Sequence, residues 1–232
     1  MSGRSWKILI VDDDLEIRRF LRASLKLYYS TIIEAGTGAE ALDQTYRDKP
    51  DLVILDLGLP DMDGVEVTRQ IREISTVSII ILSVRNSEQD KIEALDAGAD
   101  DYLTKPFSMG ELLARVRVVL RRYEPQISKT LMKSGNLVVD SSHHRVTLAG
   151  KEVALTPTEF DILVVLMQGQ GVVVTHRQLI RKVWGSVYED ESRLLRVNIS
   201  NLRHKIEPDP NRPEYILTEL GVGYRFKDPE GE

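Results

Sequence analysis

The sequence predicts an α/β domain built on a doubly wound, five-stranded parallel sheet, followed by a smaller domain of the α+β class. In the first half, short apolar runs alternate with segments of helical periodicity, which is typical of α/β domains. In the second half, short alternating segments come first, then three helical patterns, then a hairpin. At 232 residues, and roughly 150 residues per domain, the chain is long enough for two domains that each bury a core.

Five apolar runs predict the strands of the first domain, because strands buried on both faces of a parallel sheet are continuously apolar. The runs lie at 8–11, 31–33, 52–55 and 79–82, with a fifth, shorter one around 101–103. Helices are predicted between the runs, where apolar residues recur about one turn apart. Examples are Ile17, Leu21 and Leu25, and then Val65, Ile71 and Ile74.

The second domain begins after a short polar segment. Residues 124–130 follow a cationic helix end and contain Pro125, which stops helices, so they are interpreted as a linker. The boundaries predicted are 1–123 for the first domain, 124–130 for the linker and 131–232 for the second domain. Alternating segments at 137–140, 145–148 and 151–154 predict strands, and 215–217 with 224–226 predict a hairpin around a glycine-containing turn.

Composition excludes several classes of protein. The chain has no cysteine, so disulfides, cysteine-ligated zinc, iron–sulfur clusters and thiol nucleophiles are absent. Its four histidines match the spacing of no common metal site. No apolar run approaches the roughly 20 residues that span a bilayer, and residues 1–6 lack the apolar stretch of a signal peptide. A cytoplasmic protein without a membrane partner is therefore expected.

The net charge of −5 argues against nucleic-acid binding only as an average. Up to Tyr123 there are 17 basic and 21 acidic residues, and from Glu124 onward there are 14 and 15. Between His176 and Ile206, seven cations stand against three anions, which gives +4. The cations are thus concentrated in one helical region of the second domain.

Polar side chains follow four of the five predicted strands, where parallel strands end at one edge of the sheet and where ligands of such sheets bind. Carboxylate oxygens there suit Mg²⁺. A phosphoryl group could be held by a hydroxyl and an ammonium while one carboxylate acts as the nucleophile. Asp56, on the middle strand, is the expected nucleophile. The set comprises Asp12, Asp13, Asp56, Ser83 and Lys105, with Asp14 expected instead to cap the first helix.

Residues 7–122 resemble the receiver domain of bacterial two-component response regulators. The resemblance is carried by the motifs at 11–14, 55–64, 97–102 and 105–107, and by Ser83. It implies a flavodoxin-like fold in which Asp56 accepts phosphate from a histidine kinase. It also implies Mg²⁺ bound by Asp12, Asp13, Asp56 and the carbonyl of Gly58, a switch pair of Ser83 and Tyr102, and a cis peptide at Lys105–Pro106.

Six charged residues late in the first domain are similar to those that join two receivers across a two-fold axis in the subfamily with winged-helix output domains. The resemblance pairs Lys91 with Glu111, Asp101 with Arg115, and Asp100 with Arg122. A homodimer of the phosphorylated chain is therefore expected. Without this resemblance, such charges would indicate a solvated helix face, on which each ion pair contributes little to stability.

The helical pattern at 192–206 separates into two faces at about 100° per residue. Leu195, Ile199, Leu202 and Ile206 form one narrow apolar stripe, which predicts an inward face. The other face carries donors and an aliphatic side chain of the kind that reads base edges in the major groove. It comprises Arg193, Arg196, Val197, Ser200, Asn201, Arg203 and His204.

Residues 137–226 resemble the OmpR/PhoB winged-helix domain. The motifs at 155–160, 177–179, 183–185, 202–207 and 221–226 carry this resemblance. It implies that the helix around 196–204 enters the major groove and that Arg225, on the wing, reaches the minor groove. Arg177, Arg181 and Lys182 are expected to contact phosphates, which positions a protein on DNA without specifying sequence.

The function expected from both resemblances is a phosphorylation-activated transcription regulator, not an enzyme, with a sensor histidine kinase and promoter DNA as partners and RNA polymerase as a candidate partner. The stretches at 55–60, 109–122 and 195–197 are most similar to regulators of potassium-transport operons. Two alternatives stay open: a constitutive DNA-binding regulator whose receiver does not respond to phosphate, and a Mg²⁺-dependent phosphohydrolase with an aspartyl nucleophile.

Overall fold

The computed structural model describes residues 5–121, 131–169, 171–185, 188 and 192–227. The chain forms two compact units that divide between residues 121 and 122. The linker predicted at 124–130, and Arg122, lie outside the described residues.

The first unit is built on a five-stranded parallel sheet, as predicted. Its strands are β1 (Lys7–Val11), β2 (Thr31–Ala35), β3 (Leu52–Asp56), β4 (Ser78–Ser83) and β5 (Asp101–Thr104). They pair in the order β2-β1-β3-β4-β5. The strand order reverses between β1 and β3, and ligands of such sheets bind outside the carboxyl ends of the strands at this reversal. The carboxylates predicted to be functional follow these two strands.

Four helices connect the strands: α1 (Leu15–Leu25), α2 (Gly38–Asp48), α3 (Gly64–Ile74) and α4 (Glu88–Asp96). A fifth helix, α5 (Met109–Arg121), follows β5. Asp14 caps α1, as predicted, because its carboxylate accepts from the amides of Glu16 and Ile17. Ile74 departs from the apolar pattern: it is the last residue of α3, and it is 53% exposed.

Alternate residues of the strands form a single core with α1 and α5. Ile8, Ile54 and Ile80 are at most 1% exposed, and they belong to one cluster with Leu21 of α1 and Val116 of α5. Burying several such aliphatic side chains stabilises a domain by about 1.5–3 kcal/mol each. The strand ends that carry the functional side chains are therefore fixed by a closely packed interior.

The second unit consists of a sheet, three helices and a hairpin, as predicted. Its elements are β6 (Leu131–Ser134), β7 (Leu137–Asp140), β8 (Arg145–Leu148), β9 (Lys151–Glu152), α6 (Pro157–Gln168), β10 (Val174–Thr175), α7 (His176–Val183), α8 (Ser192–Ile206), β11 (Ile216–Glu219) and β12 (Gly223–Phe226). The sequence pattern missed β6 and the two-residue β10, and it extended β9 by two residues.

The three helices of the second unit pack on one another, and the hairpin adds a small sheet in the order β10-β12-β11. Leu195, Ile199, Leu202 and Ile206 are at most 1% exposed. The prediction that these four residues form the inward face of α8 is therefore confirmed, and the opposite face of the helix is directed outward.

In the part of the chain that the structure describes, no helix has both the length and the apolar character needed to cross a bilayer.

Candidate functional site

Three carboxylates meet at the carboxyl edge of the parallel sheet. Asp12 and Asp13 follow β1, and Asp56 ends β3, the neighbouring strand. One oxygen of each lies within 4.8 Å of the others. Asp12 and Asp56 are buried, at 2% and 9% exposure, whereas Asp13 is exposed. The cluster is therefore set into the molecule but open to solvent on one side.

Lys105 provides the positive charge of this cluster. Its Nζ lies 2.7 Å from Oδ2 of Asp12 and 3.3 Å from Oδ1 of Asp56. The peptide bond between Lys105 and Pro106 is cis, as predicted. Burial raises the pKa of Asp56 despite the nearby ammonium, and the Asp12 carboxylate acts in the same direction. The negative charge of Asp56 is thus only partly compensated by the protein.

The cluster fits a hard divalent cation such as Mg²⁺. All its ligand atoms would be oxygens, which Mg²⁺ prefers. The backbone of Gly58 lies beside the carboxylates, since a Cβ at this position would be 3.5 Å from Oδ2 of Asp56. The structure therefore brings together Asp12, Asp13, Asp56 and Gly58, the residues that the resemblance to receiver domains assigns to Mg²⁺.

The loop between β3 and α3 is held at several points, which sequence reasoning did not predict. Asp63 caps α3 by accepting from the amide of Val65 at 2.9 Å. Asp61 accepts from the first two amides of α2, those of Gly38 and Ala39, at 2.8 and 2.9 Å. These hydrogen bonds lower the pKa of Asp61. Anchored in this way, the loop presents the Gly58 carbonyl from a defined backbone.

Gly64 is required where α3 begins. A Cβ on this residue would collide with the carbonyl oxygen of Asp56 and come within 2.7 Å of the Cα of Leu57. The helix start therefore packs directly on the backbone of Asp56 and Leu57. The motif at 55–64 contained both Asp61 and Gly64, but their roles depend on contacts that only the fold reveals.

Ser83 and Tyr102 converge on Arg85, which sequence reasoning also missed. The Ser83 hydroxyl accepts from the amide of Arg85 at 3.1 Å, and the Tyr102 hydroxyl donates to its carbonyl at 2.7 Å. The Arg85 guanidinium lies 2.7 Å from Asp63. Burial raises the pKa of Tyr102, which keeps its phenol a donor. Tyr102 is only 8% exposed, so its ring is buried beside the end of β4.

Four of the charges predicted to join two receivers, Lys91, Asp101, Glu111 and Arg115, lie on α4, β5 and α5. Arg115 binds both carboxylate oxygens of Asp101, at 2.8 and 3.1 Å, and Oε1 of Glu111 at 2.9 Å. Lys91 is half-buried on α4. The pair Asp101–Arg115, expected between two chains, is thus formed within one chain.

Asp100 requires a correction. Its side chain is fully buried; it accepts from the amide of Ile79 at 2.9 Å and pairs with Arg72 at 3.0 Å. Arg72, on α3, also donates to the carbonyl of Gly98 at 2.9 Å. Asp100 therefore connects α3 to the start of β5 and does not face outward. Its expected partner Arg122 lies outside the described residues.

The second unit exposes cations on two helices. On α8, the exposed residues of the predicted DNA face are Arg193, Arg196, Ser200 and His204, and Val197 and Asn201 are partly exposed. On α7, Arg177, Arg181 and Lys182 are all exposed. These residues lie where a polyanion can reach them.

Two arginines of the predicted DNA surface bind elsewhere in the unit. Arg203 donates to the carbonyl of Ile216 at 2.6 Å and to Oγ1 of Thr218 at 2.8 Å. Burial lowers its pKa. Arg225 donates to Glu219 at 2.9 Å. Arg203 thus supports the hairpin and Arg225 is engaged in an ion pair on it, while their contact with DNA stays a prediction.

Comparison with known proteins agrees with both units. Residues 8–117 match the family described as response regulator receiver domain, and residues 150–226 match transcriptional regulatory protein, C terminal. The chain is 48% identical over 220 residues to the KDP operon transcriptional regulatory protein KdpE of Escherichia coli (strain K12), covering 94% of this chain and 98% of that protein.

Two further comparisons extend over nearly the full length. A transcriptional regulatory protein KdpE of Mycobacterium tuberculosis is 44% identical over 222 residues, which cover 95% of this chain and 98% of that protein. The crystal structure of DrrB, a Thermotoga maritima OmpR/PhoB homolog, is 36% identical and covers 96% of this chain and 99% of that one, with a TM-score of 0.53.

Proposed function

Because the chain belongs to the OmpR/PhoB-type response regulators, which regulate transcription in response to phosphorylation, we propose that Asp56 is the residue that accepts the phosphoryl group. The observation that carries this proposal is the convergence of Asp12, Asp13, Asp56 and Lys105 at one edge of the sheet. Asp56 is the member that ends the middle strand of the sheet, and it shares the Lys105 ammonium with Asp12.

In the proposed transfer, a carboxylate oxygen of Asp56 attacks the phosphorus of a phosphohistidine on the kinase. The P–N bond breaks, its electron pair stays on the imidazole nitrogen, and that nitrogen takes a proton from solvent. Lys105 and the hydroxyl of Ser83 hold the phosphoryl oxygens. A Mg²⁺ ion held by Asp12, Asp13, Asp56 and the Gly58 carbonyl would supply further charge compensation.

Dimerisation is the proposed link between phosphate and DNA. Lys91 of one chain would pair with Glu111 of another along the α4–β5–α5 edge, and Asp101 and Arg115 could exchange partners between the chains. Two joined DNA-binding units act as one bivalent binder, with half-sites about one helical turn apart. The polar composition of 124–130 favours tandem half-sites.

On the DNA, the exposed face of α8 is proposed to read bases in the major groove. Arg193 and Arg196 suit guanine edges, and Val197 suits a thymine methyl group. The exposed cations of α7 are proposed to contact phosphates. The similarity to KdpE proteins supports a potassium-transport operon as the target, where RNA polymerase would be the next partner.

Labelling with acetyl phosphate tests the acceptor and separates it from hydrolysis. We expect one acid-stable phosphoryl group per chain in the presence of Mg²⁺, absent from Asp56→Asn and retained in Asp43→Asn, a control on the exposed face of α2. Sustained turnover of a small phosphoester would support the phosphohydrolase alternative. Labelling of Asp56→Asn would contradict the proposal.

A further inference from the structure

The side chain of Arg18, early in α1, folds back onto the turn that carries two of the clustered carboxylates. One terminal nitrogen of its guanidinium donates to the carbonyl oxygen of Asp12 at 2.6 Å and to that of Asp13 at 3.0 Å. The side chain is largely buried, at 16% exposure. Arg18 thus binds the backbone of two consecutive residues whose carboxylates belong to the acidic cluster.

The start of α1 leaves the carbonyl oxygen of Asp13 to this guanidinium. In a continuing helix, the amide of Ile17 would donate to the carbonyl four residues earlier, which is that of Asp13. It donates instead to the side chain of Asp14, the residue that caps the helix, at 3.3 Å. Asp13 is exposed, so packing constrains its backbone little, and the hydrogen bond from Arg18 takes that role.

The charge of Arg18 is poorly suited to this position. A cation near the N-terminus of a helix opposes the helix dipole, and it also repels a divalent cation bound to the nearby carboxylates. Glu34, on β2, offsets this charge only in part, because its carboxylate lies 3.9 Å from Nε of Arg18 but 2.7 Å from Arg22. Conflicts with local preference of this kind are concentrated at functional sites. The hydrogen bonds to the turn, and not the charge, therefore explain the arginine.

We propose that Arg18 is a positioning residue of the Mg²⁺ site. By holding the carbonyls of Asp12 and Asp13, it fixes the direction in which their carboxylates leave the turn. Mg²⁺ requires nearly ideal octahedral geometry, and groups that orient the ligands of a metal typically change its affinity about 10- to 100-fold. This inference rests on the proposed function, because it requires Mg²⁺ to bind at the acidic cluster.

Charge and position predict opposite results for Arg18→Met. If the guanidinium acted only through its charge, its removal would strengthen Mg²⁺ binding. If it holds the turn, its removal weakens Mg²⁺ binding. We expect a loss of about tenfold, at the lower end of the range for orienting groups, because Arg18 binds the backbone of the ligand residues and not their carboxylates.

Arg22→Met is the matched control. It removes an arginine of α1 that pairs with the same Glu34, and it leaves both carbonyl contacts of Arg18 in place. The Mg²⁺ affinity of this variant should change little, since the charge of a half-exposed side chain is screened by salt.

Affinity is measured on the full chain with Mn²⁺, which takes the same oxygen ligands, by the loss of the free ion's electron paramagnetic resonance signal, with Mg²⁺ as the competitor. Arg18→Lys keeps the charge and a donor group, so it should recover part of the affinity that Arg18→Met loses. Urea unfolding in a chelator checks that each variant is folded; if Arg18→Met is not, Arg18→Gln takes its place. Equal or tighter binding by Arg18→Met, an equal loss in Arg22→Met, or no recovery in Arg18→Lys would overturn the inference.

Labelling with acetyl phosphate separates metal positioning from a direct role in the transfer. Arg18→Met should need about tenfold more Mg²⁺ for its half-maximal labelling rate. It should reach the wild-type rate once Mg²⁺ is saturating, because Arg18 is not among the groups proposed to hold the phosphoryl oxygens. A lower maximal rate with an unchanged Mg²⁺ requirement would overturn the inference. Binding of Mg²⁺ by Asp13→Asn as tight as by the wild type, or no binding by the wild type, would instead contradict the proposed metal site.

Discussion

At the scale of single residues, the surroundings of Asp56, the proposed phosphoryl acceptor, disfavour its charged form. Asp56 is buried beside Asp12, and Lys105 compensates the two charges only in part. A folded-state pKa above the unfolded value means that the ionised carboxylate destabilises the receiver. The stability that the protonated group contributes is complete below the unfolded pKa and is lost as the pH rises through the folded pKa.

Asp56→Asn should therefore raise the melting temperature of the receiver at pH 7 in the presence of a chelator. The amide keeps the shape of the carboxyl group but removes the charge that burial disfavours. The gain in melting temperature should vanish as the pH falls towards about 3.9, the ordinary pKa of Asp. The wild-type carboxyl group is then protonated and therefore uncharged, like the amide. Calorimetry at several pH values measures this; a melting temperature equal to or below that of the wild type at pH 7 would contradict it.

Gly64 provides a second test at this scale. Gly64→Ala should destabilise the receiver by at least about 2 kcal/mol, because the new methyl group collides with the backbone of Asp56 and Leu57. Gly110→Ala is the matched control: its Cβ would come no closer than 3.9 Å to Ser108 Oγ, so a gain of up to about 1 kcal/mol is expected from helix propensity. Urea unfolding measures the free energy of unfolding of both variants. If Gly64→Ala and Gly110→Ala change it equally, Gly64 does not lie as close to the backbone of Asp56 and Leu57 as described.

At the scale of elements, periodicity predicted what forms locally but not which side chains meet. The apolar runs predicted all five parallel strands, and the charged residue types after them predicted the acidic cluster. Pairs such as Arg72–Asp100 and Glu219–Arg225 join residues whose partner is chosen by the fold. For this reason Asp100 was expected to face outward, although the helix containing Arg72 covers it.

The α4–β5–α5 edge yields a prediction about association. Arg115 is buried against Asp101 and Glu111, so reversing its charge would also destabilise the fold, by about 3–5 kcal/mol for a broken buried pair. Lys91→Glu is the cleaner change. It should weaken dimerisation of the phosphorylated chain about tenfold, which corresponds to about 1.4 kcal/mol, and leave Asp56 labelling unchanged.

Sedimentation of the phosphorylated proteins measures this effect. Combining Lys91→Glu with Glu111→Lys should recover part of the lost association, since the interchain pair is restored with reversed signs. If phosphorylated Lys91→Glu dimerises at the same protein concentration as the phosphorylated wild type, another surface joins the chains.

At the scale of the whole molecule, the two units differ in how their charges are distributed. The residues up to Tyr123 carry a net charge of −4 and include the carboxylate cluster at which phosphoryl transfer is proposed. The second unit concentrates its cations on α7 and α8. The architecture of both units and the carboxylate cluster could be predicted from the sequence, because they depend on local patterns and recurring motifs. The roles of Arg85 and Arg203 could not, since they depend on which backbone groups the fold brings within reach.

The most direct test of this account is the affinity of the full chain for a duplex that it selects from a random library, with and without acetyl phosphate, in the wild type and in Asp56→Asn. We expect phosphorylation to raise the affinity of the wild type at least about tenfold, within the range that bivalent binding provides, and to leave Asp56→Asn unchanged. Equal affinity of the wild type with and without the phosphoryl donor, or the same gain in Asp56→Asn, would contradict the central claim.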